Sequence, residues 1–279
     1  MICAWDALLG FLPLWMRPAV NKQGRETLQE LRLRVGKPPE LVCADGVRYL
    51  EQNVVMQDIQ FCVNTASRYS PWSAATAAKG YITAPGGHRI GLCGDAVMEN
   101  GRMQGIRTAN MLCVRVARDF SGIAGSVPTV SRSVLIIGPP GSGKTTFLRD
   151  LIRRYSVAFS SIAVVDERGE LFPYVHGCSC FETGPHTDIL SGAGKAEGID
   201  ALLRCMGPSV IAVDEITAKE DCDALIHAGW CGVKLLATAH AACKEDLLNR
   251  PVYRPLMNTK LFDVLVILQS DKSWKCEAL

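Results

Sequence analysis

The chain has 279 residues, of which 48% are hydrophobic and 21% charged, and its formal net charge is +2. That length suits one large or two medium domains, and the composition is that of an ordinary soluble globular protein. The near-neutral balance gives no general pull toward nucleic acid, so such binding would need a local basic patch.

The opening segment, "MICAWDALLGFLPLWMRPAV", is apolar but carries Asp6 early, lacks a basic leader and breaks at Pro13 and Pro18. It suits neither a signal peptide nor a membrane span of ~20 clean apolar residues. Apolar residues at 5, 8, 9, 12 and 15 have the period of an amphipathic helix. Such a helix either caps its own domain or offers a face to a membrane surface or a partner. Twelve cysteines are scattered along the chain, several inside apolar runs such as "GLCGDAV" and "MLCVRVA". They read as small buried hydrophobes, and the chain as a cytoplasmic one in a reducing compartment.

Residues 25–120 predict a mixed α+β module. "LRLRVG" alternates as a half-buried strand does, and "LVCADGVRYL" suggests two short strands around Gly46. "CVNTASRYSPWSAATAAKGYIT" has alanines at helical spacing up to Gly80, and the stretch from Ala84 to Arg118 reads as strands split by Gly-rich and Asn-Gly turns. The Gly-, Ser- and Pro-rich stretch "DFSGIAGSVPTVSR", 119–132, marks a domain boundary, placed between 125 and 126.

Beyond the boundary the pattern changes. Short apolar runs alternate with helical stretches: "VLIIG", "FLRDLIRRY", "SIAVVDE", "AEGIDALLRCM", "SVIAVDEI", "DCDALIHAGW", "VKLLATAH". This order predicts an α/β fold with a parallel sheet covered on both faces. Gly207-Pro208 should stop one helix, and "TAKE" at 217–220 should start the next with a capping box. In "HGCSC", His176, Cys178 and Cys180 offer metal ligands without a second pair at zinc spacing, so a simple loop is the competing reading.

"LIIGPPGSGKTTFLRDL" fits G-x-x-x-x-G-K-[ST] at every position, from Gly138, Pro139, Pro140, Gly141, Ser142 and Gly143 to Lys144 and Thr145, with a strand before it and a helix after. The glycines let backbone N–H groups turn inward, where the helix dipole adds positive charge. Lys144 should reach the β- and γ-phosphates of ATP, Thr145 should hold Mg²⁺, and Thr146 should lie near the α-phosphate. In "SVIAVDEI", Asp214 and Glu215 stand at the end of an apolar strand, where ligands of open α/β sheets collect. Asp214 suits the metal shell and Glu215 suits a base that polarises water. Two further strand ends carry polar groups. Thr238 and His240 could sense the γ-phosphate or hold the attacking water, or His240 could be a satisfied strand-end histidine. Asp166, Glu167 and Arg168 could belong to the site or to a charged surface turn.

Taken together, "VVDERGE", "LLRCMGPSVIAVDEI" and "ATAH" resemble the acidic box, the metal strand and the histidine box of the secretion ATPase superfamily. A narrower likeness, carried by "LQELRLRVGKPPELV", "GYITAPGGHRIGLCGDAV" and "TGPHTDILSGAGKAEGI", is to the stage III sporulation AA family. The resemblance implies a RecA-like P-loop NTPase domain over 126–279 behind a smaller α+β domain over 1–125. It also implies a homohexamer, with Arg204 in the site and Glu167 among its catalytic acids. The amino-terminal domain would then fold over nucleotide. Arg89, Arg107, Arg115 and Arg118 become candidates for an arginine acting in trans, Arg107 foremost, against the alternative of an ordinary solvated strand face. The implied function is Mg²⁺-dependent ATP hydrolysis that powers or assembles a membrane channel complex of endospore formation. The chain would act at the cytoplasmic face of the membrane through the channel's subunits. Two rivals come from other classes. One is a nucleic-acid-associated P-loop ATPase, although no basic aromatic stretch is present. The other is a slow nucleotide-gated scaffold.

Overall fold

The computed structural model describes residues 1–67, 80–128, 132–159, 161–175 and 177–279, apart from the side chains of Arg102 and Val175. The chain forms two compact units, Met1–Asp119 with Pro173–Cys180, and Phe120–Phe172 with Phe181–Leu279.

The first unit opens with two short helices, α1 (Trp5–Gly10) and α2 (Arg17–Gln23), where one amphipathic helix was expected. Pro13 lies in the break, and Pro18 sits in the first turn of α2, where its missing N–H costs nothing. The apolar face survives the break, with Leu8, Phe11, Leu12, Met16 and Val20 fully or almost fully buried. The strands β1 (Leu28–Arg34), β2 (Glu40–Cys43), β3 (Gly46–Tyr49), β4 (Tyr81–Thr83), β5 (Arg89–Glu99) and β6 (Arg102–Arg115) form an antiparallel sheet in the order β3-β2-β1-β6-β5-β4. The helix α3 (Met56–Ser67) contacts β4 and β6. The rest of the predicted alanine-rich helix lies outside the described residues. Leu31, Leu33, Leu41, Ile90, Leu112 and Val114 from the strands join the helices in one core.

The hairpin of β5 and β6 turns at Asn100-Gly101 and slips register three times along its length. At one slip Gly94 lies against Thr108, and a Cβ there would stand 1.9 Å from the Thr108 carbonyl oxygen.

In the second unit, β7 (Val134–Ile137) leads into α4 (Lys144–Ala158), and β8 (Ile162–Asp166) follows. The chain then enters the first unit as a two-stranded antiparallel ribbon, β9 (Tyr174–Val175) and β10 (Cys178–Ser179). It returns for β11 (Thr187–Ser191), α5 (Lys195–Met206), β12 (Val210–Ile216), α6 (Lys219–Trp230), β13 (Lys234–Ala239), α7 (Lys244–Asn249), α8 (Arg254–Asn258), β14 (Val264–Leu268) and β15 (Trp274–Ala278). The sheet order is β11-β8-β12-β13-β7-β14-β15, parallel throughout except for the edge strand β15. β7, β8 and β14 are buried at every position, as a sheet covered on two faces requires. Leu135, Ile137, Val165 and Val213 share a core with Ile199 and Leu202 of α5 and Leu225 of α6, while α4 contacts the sheet without joining that core. Each such side chain, fully buried, is worth roughly 1.5–3 kcal/mol.

The contact boundary falls after Asp119 rather than between 125 and 126. The cause is a set of polar bonds from α4. Asp150 accepts from Gly122 N at 3.0 Å and Ala124 N at 2.8 Å, Arg153 donates to Phe120 O at 2.6 Å, and Arg154 donates to Val127 O at 3.1 Å. A stretch that reads as a linker is therefore fastened to the second unit. Helix signals also shift. Gly207 closes α5 in the left-handed region as expected, at φ 54°. The capping box at 217–220 is replaced: Asp221 accepts from Thr217 N at 3.0 Å and Ala218 N at 3.1 Å.

Gly94→Ala should lower unfolding free energy by about 2–4 kcal/mol in urea titration, because the new methyl group meets backbone. Gly91→Ala, whose Cβ would meet nothing closer than 3.8 Å, should cost less than about 1 kcal/mol.

Candidate active site

The site gathers where β7, β8, β12 and β13 end. After β7 the chain curls through Gly141 at φ +74° and Gly143 at φ +98°, a region that disfavours side chains, and α4 begins at Lys144. Gly138 is closed in: a Cβ there would stand 2.6 Å from Ser142 Oγ and 2.9 Å from Leu268 O. Lys144 is buried, and its ammonium donates to Gly138 O and Pro139 O, each at 2.9 Å. Burial pushes its pKa below the ordinary lysine value, while Asp214 and Glu215 pull it back up.

β12 carries the acids, and the local backbone explains how they are aimed. Val213 pairs with Ala237 and Ile216 with Ala239, so Asp214 and Glu215 together oppose Thr238 alone. This is a β-bulge, and Glu215 sits in it at φ +56°. Thr238, fully buried, bridges the two acids: its Oγ1 accepts from Glu215 N at 2.7 Å and donates to Asp214 Oδ1 at 2.5 Å. The other oxygen of Asp214 accepts from Thr145 Oγ1 at 2.6 Å.

Glu215 is held at both oxygens. His240 Nε2 meets Oε1 at 2.9 Å, and Arg168 Nη1 donates to Oε2 at 2.6 Å. His240 Nδ1 lies 3.1 Å from Lys144 Nζ. With the ammonium as donor there, the network assigns the imidazole proton to Nε2, which donates to Glu215. Lys144, His240, Glu215 and Arg168 thus form one continuous hydrogen-bonded line.

Beside that line opens a small cleft lined by the acids Asp166, Glu167, Glu170, Asp214 and Glu215 and the cations Arg168 and Lys195. Lys195, at the start of α5, is buried; it donates to Glu167 and lies 3.7 Å from Asp221 Oδ2. Gly198 lets the first turn of α5 press close to β8, since a Cβ there would stand 2.6 Å from Val165. Asp166, also buried, accepts from Glu170 N and Phe172 N, both at 2.9 Å, and so shapes the turn after β8. Burial pushes its carboxyl up to about 6, against the pull of those backbone donors.

The donor set fits a magnesium nucleotide. A threonine hydroxyl and a carboxylate in contact, Thr145 and Asp214, are the hard oxygen ligands such an ion takes. Ser142 Oγ, buried inside the curl, has no hydrogen-bond partner among the described residues, and a phosphate oxygen would supply one.

Sequence reasoning placed Lys144, Thr145, Asp214, Glu215, Thr238 and His240 together, and the structure brings them together, with Glu167 and Arg168 beside them. It does not bring Arg204 in. That residue lies exposed in the last turn of α5, nine residues beyond Lys195 or about 14 Å along the helix, and its Nε turns back to Asp200 O at 3.2 Å. Lys195 is a site residue that the pattern of motifs missed; a lone lysine at a helix start carries no signal of its own. In the first unit, Arg89 stacks 4.3 Å over Tyr81, Arg115 lies 3.5 Å from Glu30, and Arg118 donates to Glu26 O at 2.9 Å. Arg107 is exposed at a register slip of β6 and pairs with no acid among the described residues. His176 lies outside the described residues, and Cys178 and Cys180 are free thiols of the ribbon.

The profile of the family described as "Sporulation stage III, protein AA" matches residues 14–275. The chain belongs to that family. It is 36% identical to the stage III sporulation protein AA of Bacillus subtilis (strain 168) over 247 residues, covering 85% of this chain and 80% of that one. Solved structures share its fold: the ATPase DotB of Legionella pneumophila at TM-score 0.57 and 14% identity, over 95% of this chain and 80% of that one, and the pilus retraction motor PilT with bound ADP at 0.59 and 14%, over 92% and 78%. The architecture is thus that of RecA-like secretion ATPases, with a smaller α+β unit besides. No helix among the described residues is long and apolar enough to cross a membrane.

Thr238→Val removes the bridge while keeping the shape. It leaves Glu215 N–H without its acceptor, so unfolding free energy should fall by about 1–3 kcal/mol in chemical denaturation, and Thr238→Ser should restore most of it.

Proposed function

We propose that the chain is a Mg²⁺-dependent ATPase of the secretion type, working as a homohexamer and powering or assembling a membrane channel complex during endospore formation. One observation carries the reading: Lys144 bonds His240, His240 bonds Glu215 and Thr145 bonds Asp214, where the glycine curl meets the ends of adjoining strands. A structural role alone gives no reason to collect a lysine, two acids and a histidine at the mouth of a glycine curl.

Magnesium held by Thr145 and Asp214 would neutralise charge on the β- and γ-phosphate oxygens. Backbone amides of the glycine loop and the start of α4 would hold the phosphate chain. Lys144 exchanges its carbonyl partners for phosphate oxygens, which also releases His240 Nδ1. Glu215, oriented by His240 and Arg168, accepts a proton from the attacking water. Glu167, held by Lys195, adds negative charge at the far side of the cleft. Arg107 of the first unit, and Arg204, exposed at the end of α5, are the arginines we assign to a neighbouring subunit's nucleotide. The family's sporulation name and the fold shared with a pilus motor support the channel assignment. The partners would then be channel subunits at the cytoplasmic face of the membrane.

The test is ATP turnover by the purified chain. Lys144→Ala should reduce it by about 10²-fold or more, and equal rates in variant and wild type would end the hydrolysis reading. Glu215→Gln should keep nucleotide bound while slowing turnover about 10²- to 10⁴-fold; unchanged turnover would remove Glu215 as base.

A further inference from the structure

We propose that Lys272 is a second lysine of the phosphate cradle, a positioning residue that holds the crest of the loop and raises affinity for nucleoside di- and triphosphates. The inference rests on the nucleotide reading above and extends it to a residue outside every motif in the sequence.

Geometry supplies the first argument. β14 runs parallel to β7, with Ile267 opposite Ile137, so the turn after β14 emerges where β7 becomes the phosphate loop. From that turn Lys272 Nζ donates to Gly141 O at the loop's crest. A carbonyl and the next N–H point in opposite directions across a trans peptide. Ser142 N, on the far side of that peptide, donates to Pro139 O at 3.2 Å, so the ammonium and this bond together pin the peptide at the crest of the loop.

The backbone supplies the second. Lys272 has φ +72°, a left-handed position where glycine or asparagine is usual. The turn that holds it is firmly tied. Gln269 N donates to Ser273 O at 2.9 Å, Lys272 N donates to Gln269 O at 3.1 Å, and Asp271 Oδ1 accepts from Ser273 N at 2.9 Å and Ser273 Oγ at 2.6 Å. The fold accepts a strained residue here in exchange for a side chain that reaches the loop.

Charge supplies the third. Arg168 is bonded to Glu215 and Lys195 to Glu167, and Lys144 sits under the field of Asp214 and Glu215. Lys272 is exposed and pairs with no acid among the described residues, and its neighbour Asp271 is turned to Ser273. It is a cation at the cradle that can meet a polyanion without leaving a carboxylate.

Glycine separates the two roles, because Lys272→Gly removes the ammonium and relieves the strain together. Binding of the fluorescent nucleotide mant-ADP in magnesium buffer should weaken about fivefold in Lys272→Gly. Lys272→Arg should stay within about twofold of wild type, and the thermal midpoint of Lys272→Gly without nucleotide should equal or exceed that of wild type. Lys272→Gly binding mant-ADP as tightly as wild type would overturn the proposal, as would a loss of affinity accompanied by a lowered midpoint. If wild type itself binds no mant-ADP, the nucleotide reading falls and this inference with it. If wild type and Lys272→Gly both bind equally, only this inference falls.

Discussion

A single hydroxyl fixes the two acids on which the candidate site depends. Thr238 lies fully buried on β13, opposite a bulge in β12, and it bonds the backbone of Glu215 and the carboxylate of Asp214 at once. Without the bulge, Asp214 and Glu215 would point to opposite faces of the sheet, since successive strand residues alternate. The extra residue in β12 and the left-handed turn at Glu215 let both carboxylates serve one end of the sheet. Asp214 then meets Thr145, and Glu215 meets His240 and Arg168.

The charges at the cleft are balanced through bonds rather than through distance. Five acids line it, a density that would repel itself apart in a cavity without compensation. Lys195 and Arg168 each hold one of those acids directly, and Lys144 couples electrostatically to Asp214 and Glu215. Asp166 takes another course: burial raises its carboxyl while backbone amides bind it, so it works as a brace for the turn after β8. The line from Lys144 through His240 to Glu215 ties the glycine loop and the second acid of β12 into one set of hydrogen bonds.

The phosphate loop was legible because its chemistry lies in the backbone, and backbone chemistry restricts which residues can stand where. Asp214 and Glu215 were legible because acids at the end of an apolar run demand an explanation. The bulge that aims them was not, since its cause is a register slip between two strands distant in sequence. Lys195 and Lys272 escaped for a related reason: each acquires meaning only from a neighbour, Glu167 for one and the Gly141 carbonyl for the other. β11 and the β14–β15 hairpin also fell outside the seven segments read as periodic, although "VLVIL" has the continuous apolar character of a buried strand. The boundary at 125/126 followed composition, whereas the fold follows Asp150, Arg153 and Arg154, three side chains of α4 that compositional reading cannot connect to a Gly-rich stretch.

The excursion of Pro173–Cys180 into the first unit begins close to the site in sequence. Four residues, Gly169 to Phe172, lie between Arg168 and that excursion, and two of them are pinned at their amides by Asp166. Arg168 in turn grips Glu215. The side chain that meets Glu215 thus stands one braced turn away from the point where the chain passes from one unit to the other.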